Sequence, residues 1–216
     1  MNNYLNFLKE FQKAVLAAKR NIEEINLIAV SKKKSIKEIQ DVCNLGQRSF
    51  GENQLQEIEK KWSELKKNNT NLSLHFLGTI QSNKIKSIFE NCDYIHTVDR
   101  LKIVNLIKNF ENSTGLKRKY FIQVNTGNES QKSGVNINDA EVFIQNCMDK
   151  QLEIHGLMCL PPINELPSKH FNSLRSLAKN FNIKNLSMGM SQDFTEAIRC
   201  GSTHIRIGTN IFGARD

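Results

Sequence analysis

Short apolar runs alternate with stretches of helical periodicity along the chain, and this alternation restricts the possible folds more than any other feature. An amphipathic stretch over residues 2–20 comes first, and its apolar residues share one face: Tyr4, Leu8, Phe11 and Val15. The apolar run at 25–30 then predicts a buried strand. Strands that alternate with helices pair in parallel through right-handed crossovers. The pattern therefore predicts an α/β protein.

Eight predicted strands follow one another in this pattern. They cover residues 25–30, 48–50, 74–77, 94–98, 120–125, 154–160, 186–190 and 205–207, and the helical stretches between them lie near 35–46, 53–67, 83–91, 100–111, 138–149, 168–181 and 192–200. Eight such units predict a single TIM-type (β/α) barrel domain over residues 1–216, with an extra N-terminal helix. An open doubly wound sheet is the alternative. No GxGxxG follows a strand, so the usual signal for dinucleotide binding is missing.

The cysteines and the hydropathy of the chain bear on its compartment. The five cysteines form no CxxC pair and their number is odd, which favours reduced cytoplasmic thiols over a disulfide framework or a zinc site. No apolar run approaches the roughly 18 residues of a membrane span. The first residues also lack the charged start and the long apolar stretch of a secretion signal. We therefore expect a cytoplasmic protein with no metal site and no membrane partner.

The net charge of +8 raises the question of a nucleic-acid partner, because a basic face attracts phosphate backbones. The lysines are spread along the chain, however, and no nucleic-acid motif is present. We therefore expect no nucleic-acid partner.

Functional residues of a TIM barrel lie at the C-terminal ends of its strands, and this rule selects a short set of side chains. The residues at the predicted strand ends include Lys32, Asn53, His75, Met190, Ser191, Arg206, Gly208 and Thr209.

Three consecutive lysines follow the first strand, and strand parity separates them. Ile28, Val30 and Lys32 alternate onto one face, whereas Lys33 falls on the other and Lys34 lies past the strand. If the first face points into the barrel, Lys32 ends at the mouth. Desolvation lowers the pKa of a lysine and frees its lone pair, so Lys32 is a candidate for a Schiff base. The alternative is three solvated charges at a helix start, where the helix dipole disfavours cations.

Two loops near the chain end have the features of a phosphate site. TIM barrels often hold a phosphate with the loops that follow strands 7 and 8. Ser191 follows the seventh strand and is predicted to begin a helix, where its hydroxyl and the exposed N–H groups suit an anion. After the eighth strand, Gly208 allows close backbone approach and Thr209 offers a hydroxyl. A capping serine and a turn glycine would look the same, and the residues alone leave both interpretations open.

At these positions the sequence resembles the pyridoxal phosphate homeostasis proteins, an alanine-racemase-like family of single-barrel binders of pyridoxal 5′-phosphate (PLP). The resemblance covers about residues 5–216 and is carried by an ordered set of segments. They are Ala29-Val30-Ser31-Lys32, Phe50-Gly51-Glu52-Asn53, His75-Phe76-Leu77-Gly78, Gln81-Ser82-Asn83-Lys84, Lys132-Ser133-Gly134, Gly156-Leu157-Met158, Leu186-Ser187-Met188-Gly189-Met190-Ser191-Gln192-Asp193, Gly201-Ser202-Thr203 and Arg206-Ile207-Gly208-Thr209-Asn210-Ile211-Phe212-Gly213. Each tripeptide alone is weak evidence, but the ordered set is highly specific.

The resemblance implies a fold like the N-terminal domain of alanine racemase and a role for each site residue. It implies that Lys32 carries PLP as an aldimine and that Arg206 faces the pyridine nitrogen. It also implies that Ser191, Gly208 and Thr209 hold the phosphate. The matching segments include three further predicted cofactor contacts: Asn53, His75 and Met190. Family members often have Trp where Leu74 stands and Thr where Lys33 stands, and neither departure touches the predicted contacts.

The same residues favour a carrier of PLP over a turnover enzyme. A cationic Arg206 can only donate to the pyridine nitrogen, which weakens the cofactor as an electron sink. The related racemases carry a further β domain with a second acid/base tyrosine, and the sequence shows no room for it after the eighth strand. We therefore expect a monomeric protein of PLP homeostasis, with apo PLP-dependent enzymes as possible recipients. A racemase with an unknown substrate is the alternative, with His75 as a substitute for the missing acid/base group.

Overall fold

Eight parallel strands close into a barrel in the computed structural model, which describes residues 2–213. The ring runs through β1 (Asn26–Val30), β2 (Ser49–Glu52), β3 (Ser73–Phe76), β4 (Tyr94–Val98), β5 (Lys119–Asn125), β7 (Ile154–Cys159), β8 (Asn185–Ser187) and β9 (His204–Ile207). The pairing of β9 with β1 and of β4 with β5 closes it. A two-residue strand, β6 (Val135–Asn136), pairs with β5 outside the ring. The predicted TIM-type barrel is confirmed, and closure rules out the open sheet.

Nine α-helices are present within the described residues. They are α1 (Asn2–Ala17), α2 (Ile36–Asn44), α3 (Leu55–Asn68), α4 (Ile85–Asn91), α5 (Leu101–Thr114), α6 (Ala140–Asp149), α7 (Pro167–Asn180), α8 (Phe194–Arg199) and α9 (Thr209–Phe212). The extra N-terminal helix packs against α8 and α9, and the rings of Phe7 and Phe194 lie 5.3 Å apart at this contact. None of the helices in residues 2–213 is long and apolar enough to cross a bilayer.

Alternation along each strand divides the side chains between the helices and the barrel interior. In β1, Leu27 and Ala29 join the apolar core between strands and helices, whereas Ile28 lies on the opposite face and is fully buried. The interior is tightly packed. A Cβ added at Gly156 would lie 2.4 Å from the ring of Phe121, so only glycine fits beside this ring.

Two sequence predictions near the chain end need correction. Strand β8 ends at Ser187, not at residue 190, because Gly189 has a φ of +99° and leaves the extended conformation. Helix α8 begins at Phe194 and not at Ser191. The reason is a turn: the carbonyl of Met190 accepts the N–H groups of Asp193 and Phe194, while the Asp193 carboxylate accepts the Met190 N–H at 2.6 Å.

Each of the five cysteines is buried with a free thiol. Burial raises the pKa of the Cys147 thiol to about 12 and that of Cys43 to about 11. These thiols therefore stay protonated and pack as small apolar side chains.

Candidate functional site

A cavity of about 660 Å³ opens at the C-terminal ends of the strands, where the barrel rule places function. It brings together seven of the eight predicted site residues: Lys32, Asn53, Met190, Ser191, Arg206, Gly208 and Thr209. Apolar side chains complete much of the wall: Val30, Leu77, Met158, Leu160, Pro161, Pro162 and Ile163. A mostly apolar cavity with a few convergent polar groups is typical of a site for a small organic ligand.

Lys32 is the only one of the three consecutive lysines that lines this cavity. Strand β1 ends at Val30, and the chain then turns, with the Lys34 N–H bonded to the Ser31 carbonyl at 3.0 Å. Lys33 is exposed on the outside, and Lys34 forms an ion pair with Glu38 at 3.2 Å. The structure thus places Lys32 where strand parity predicted it.

Arg206 projects from β9 into the barrel below the mouth, and its side chain is almost fully buried. Its Nη1 donates to the Ser187 hydroxyl at 2.6 Å, and its Nη2 donates to the Cys159 carbonyl at 3.0 Å. No carboxylate among residues 2–213 forms an ion pair with it. Burial lowers the pKa of Arg206 from its usual value, and the nearby Cys159 and Asp193 oppose that shift. The group is a buried cation held by neutral acceptors.

His75 lies inside the barrel and does not line the cavity, unlike the other seven predicted cofactor contacts. Its side chain is fully buried, its Nδ1 is 2.9 Å from Nε2 of His96, and its ring stacks on Tyr94 with centroids 4.1 Å apart. His75 lies within β3, which ends at Phe76, and Leu77, the first residue after the strand, lines the cavity.

A chain of hydrogen bonds connects Arg206 to His75 through the barrel interior. Beyond the Arg206 contact, the Ser187 Oγ is 2.9 Å from Nδ1 of His96, and the His96–His75 contact follows. Because arginine can only donate, the arrangement that pairs most groups has Ser187 donating to His96 and His96 donating to His75. The Nε2 atom of His75 is then the N–H at the end of the chain, and it is buried without a partner among the described residues.

The predicted phosphate end of the cavity is formed by the turns after β8 and β9. Ser191, Gly208 and Thr209 all line the cavity there. Within the 190–193 turn, the N–H groups of Ser191 and Gln192 form no hydrogen bond with any described residue. The turn therefore presents hydroxyl and amide donors to one region, which is the donor set that an anion needs.

Sequence reasoning missed the loop that forms one wall of the cavity. Residues 160–167 follow β7 and contribute Pro161, Pro162, Ile163, Glu165 and Pro167 to the lining. The two consecutive prolines directly after a predicted strand were the available signal, because strand ends build the mouth of such a barrel. Asp193 was missed as well, and it also lines the cavity.

Comparison with known proteins gives consistent results for sequence and structure. A family model described as "Alanine racemase, N-terminal domain" matches residues 8–216. The pyridoxal phosphate homeostasis protein of Pasteurella multocida is 37% identical over 99% of this chain and 97% of its own length. The protein of the same name from Escherichia coli strain K12 is 35% identical over 100% of this chain and 98% of its own.

Two solved structures illustrate the structural similarity. PipY of Synechococcus elongatus, solved with PLP bound, is 29% identical and covers 93% of this chain and 99% of its own, with a TM-score of 0.82. The alanine racemase of Clostridium difficile 630 shares 13% identity, with a TM-score of 0.74 over 100% of this chain and 57% of its own. At that identity the likeness concerns the fold alone.

Proposed function

The chain belongs to the alanine racemase N-terminal domain family, and on that premise we propose that it binds PLP in the barrel mouth and serves intracellular PLP homeostasis. The observation that carries the proposal is the convergence on one cavity of a lysine, a buried arginine and two hydroxyls: Lys32, Arg206, Ser191 and Thr209. The names of the relatives and the PLP-bound PipY structure support it.

The donor set of the cavity fits the three polar parts of PLP. The Ser191 and Thr209 hydroxyls, with the unpaired amides of the 190–193 turn, suit the phosphate, and Gly208 leaves room beside it. Arg206 suits the pyridine nitrogen, which accepts a hydrogen bond. Asn53 and Met190 complete the polar and apolar walls. The cavity volume of about 660 Å³ lies within the range of small-molecule sites.

Lys32 is the residue that would bind PLP covalently. Its neutral amine would form a C=N bond to the aldehyde carbon, and the two amine hydrogens would leave with the aldehyde oxygen as water. Lysine is suited to this step because its amine is the side-chain nucleophile that forms Schiff bases with carbonyl compounds.

The arginine partner favours a holder of PLP over a catalyst. When bound, PLP supplies an electron sink for carbanions, and this property depends on a protonated pyridine nitrogen. Arg206 donates and stays cationic, so it keeps that nitrogen unprotonated. His75, considered as a second acid/base group, is bonded to His96 inside the barrel and does not line the cavity. Apo-enzymes that need PLP are the proposed recipients, and a monomer is the proposed working state.

A titration of the purified protein with PLP tests this proposal. The visible absorption band of a lysine-bound cofactor is expected to grow to one equivalent of PLP. In Lys32→Ala the band should be missing, while Lys33→Ala should behave as the wild type because Lys33 is exposed outside the cavity. A wild type that takes up no PLP would refute the proposed function.

A further inference from the structure

The turn that carries Lys32 is held from outside the barrel by a buried ion-pair network, and we propose that this network positions Lys32 for covalent capture of an aldehyde. Lys61 of α3 is its centre, and Glu52 and Glu57 are its carboxylates. The proposal rests on the proposed function for the identity of the ligand, but its structural part concerns only the chain itself.

Lys61 contacts both ends of the turn. Its Nζ lies 3.3 Å from the Ser31 carbonyl and 3.2 Å from the Lys34 carbonyl. The same atom lies 2.9 Å from Glu52 Oε1 and 2.9 Å from Glu57 Oε2. The residue as a whole is only 8% exposed. One ammonium group therefore joins the two carbonyls that flank Lys32 to two carboxylates.

The carboxylates hold the rest of the turn. Glu52 is fully buried, and its Oε1 accepts the Ser31 hydroxyl at 2.8 Å and the Trp62 indole N–H at 3.3 Å. Glu57 accepts the Lys33 backbone N–H at 2.6 Å. The three residues around Lys32, namely Ser31, Lys33 and Lys34, are thus all bonded to this network.

Lys33 shows why the turn needs to be held. Its φ of +61° lies in the left-handed region, which a residue with a Cβ adopts only when its surroundings impose it. This conformation turns the backbone between Lys32, which lines the cavity, and Lys34, which pairs with Glu38. The bond that the Lys33 N–H donates to Glu57 acts at the strained residue itself.

A buried ion-pair network is a poor means of stabilising a fold, because desolvation of the charges offsets most of their attraction. Packed apolar residues would stabilise the contact of α3 with the barrel at least as well. Directional bonds to backbone groups do what apolar packing cannot, since they fix one conformation of a short turn. Attack on an aldehyde depends on such precision, because a misplacement of about 1 Å can slow a reaction by roughly 10²-fold.

The test compares two variants on the same helix. Glu52→Gln with Lys61→Met removes the Lys61 ion pairs and the Lys61 bonds to the turn, and the carboxylate that remains, Glu57, is partly exposed and still accepts the Lys33 N–H. The matched control is Lys66→Met with Asp93→Asn, because Lys66 also lies on α3 and bonds Asp93 at 2.7 Å and the Asn91 carbonyl at 3.0 Å, away from the turn. Two quantities are measured: the rate of covalent capture of PLP, and the affinity for pyridoxine 5′-phosphate, which has no aldehyde.

We expect capture to slow by roughly tenfold to a hundredfold in the network variant, with unchanged affinity for pyridoxine 5′-phosphate, and neither quantity to change in the control. Capture at the wild-type rate would overturn the proposal. So would an equal loss of both quantities, because the network would then support only the fold. Glu57→Ala is a milder second variant on a partly exposed side chain, and it should slow capture in the same selective way.

Amide hydrogen exchange of the protein without added ligand provides an independent readout. The N–H groups of Lys33 and Lys34 should exchange faster in the network variant than in the wild type, and the control should match the wild type. Unchanged exchange would overturn the positioning role even if the wild type failed to capture PLP. That failure in the wild type would refute the proposed function separately.

Discussion

The guanidinium of Arg206 donates to the hydroxyl of Ser187 across 2.6 Å, from one barrel strand to its neighbour. Ser187 in turn contacts His96, which lies on the far side of the barrel interior. The cation proposed to face the pyridine nitrogen is therefore oriented by a chain of neutral groups that continues to His75.

Replacing Ser187 with alanine should destabilise the protein. The change removes a hydrogen bond to a charged group, worth about 1.5–3 kcal/mol, and leaves Nδ1 of His96 without the hydroxyl that donates to it. Denaturant unfolding of Ser187→Ala measures the loss. Ser73→Ala is the control, because its hydroxyl contacts only that of Ser49 at 3.0 Å. If Ser187→Ala and Ser73→Ala were equally stable, the hydrogen bonds that connect Arg206 to His75 would not have the stabilising role proposed for them.

Stability should fall as the pH drops from 7 towards 5. Burial lowers the pKa of His75 and of His96 well below the usual 6.5, and it lowers the pKa of His204 to about 3. Below pH 6.5 the unfolded state therefore binds more protons than the native state, so acid favours unfolding. Each such histidine contributes a slope of up to about 1.4 kcal/mol per pH unit, lost progressively down to its folded pKa.

Urea unfolding at pH 7, 6 and 5 measures this dependence. His75 and His96 are the most deeply buried histidines. His75→Asn with His96→Gln should therefore flatten the dependence of the free energy of unfolding on pH between pH 6.5 and 5. A wild-type free energy of unfolding that stays constant over this range would show that the buried histidines are not neutral.

The phosphate of PLP should dominate its affinity. Ser191 and Thr209 each offer a hydrogen bond to a charged group, worth roughly 1.5–3 kcal/mol. The double variant Ser191→Ala with Thr209→Ala is expected to weaken PLP binding by an order of magnitude or more. Pyridoxal, which lacks the phosphate, is the control ligand and should lose little affinity. If pyridoxal binds the wild type as tightly as PLP, the phosphate site is wrongly placed.

Much of the fold could be predicted from the sequence, because the periodicity of a helix and that of a strand are both local properties of the sequence. Alternating helix and strand patterns predicted the closed barrel, and parity within β1 separated Lys32 from Lys33. Strand and helix ends were harder to predict: β3 ends at Phe76 with His75 inside the strand, and α8 begins at Phe194, after a turn in which the Met190 N–H donates to the Asp193 side chain. The contacts of Lys61 could not be predicted, because they depend on how α3 rotates against β1 and β2.

Racemisation of amino acids should be absent or very slow in the PLP-loaded protein. It needs a base on one face of the α-carbon and an acid on the other, and loss of one such group costs about 10²–10⁴-fold. The cationic Arg206 further disfavours the carbanion. Chiral analysis of alanine and serine after long incubation tests this. Turnover of about 1 s⁻¹ or more, abolished by Lys32→Ala, would establish an enzyme instead.

Borohydride reduction followed by peptide mapping tests the central claim most directly. Reduction adds a hydride to the C=N carbon and a proton to its nitrogen, which fixes the cofactor on the lysine that bound it. We predict one pyridoxyl phosphate adduct per chain, on Lys32, and its loss in Lys32→Ala. An adduct found mainly on Lys33 or Lys34, or undiminished modification of the Lys32→Ala variant, would contradict the account.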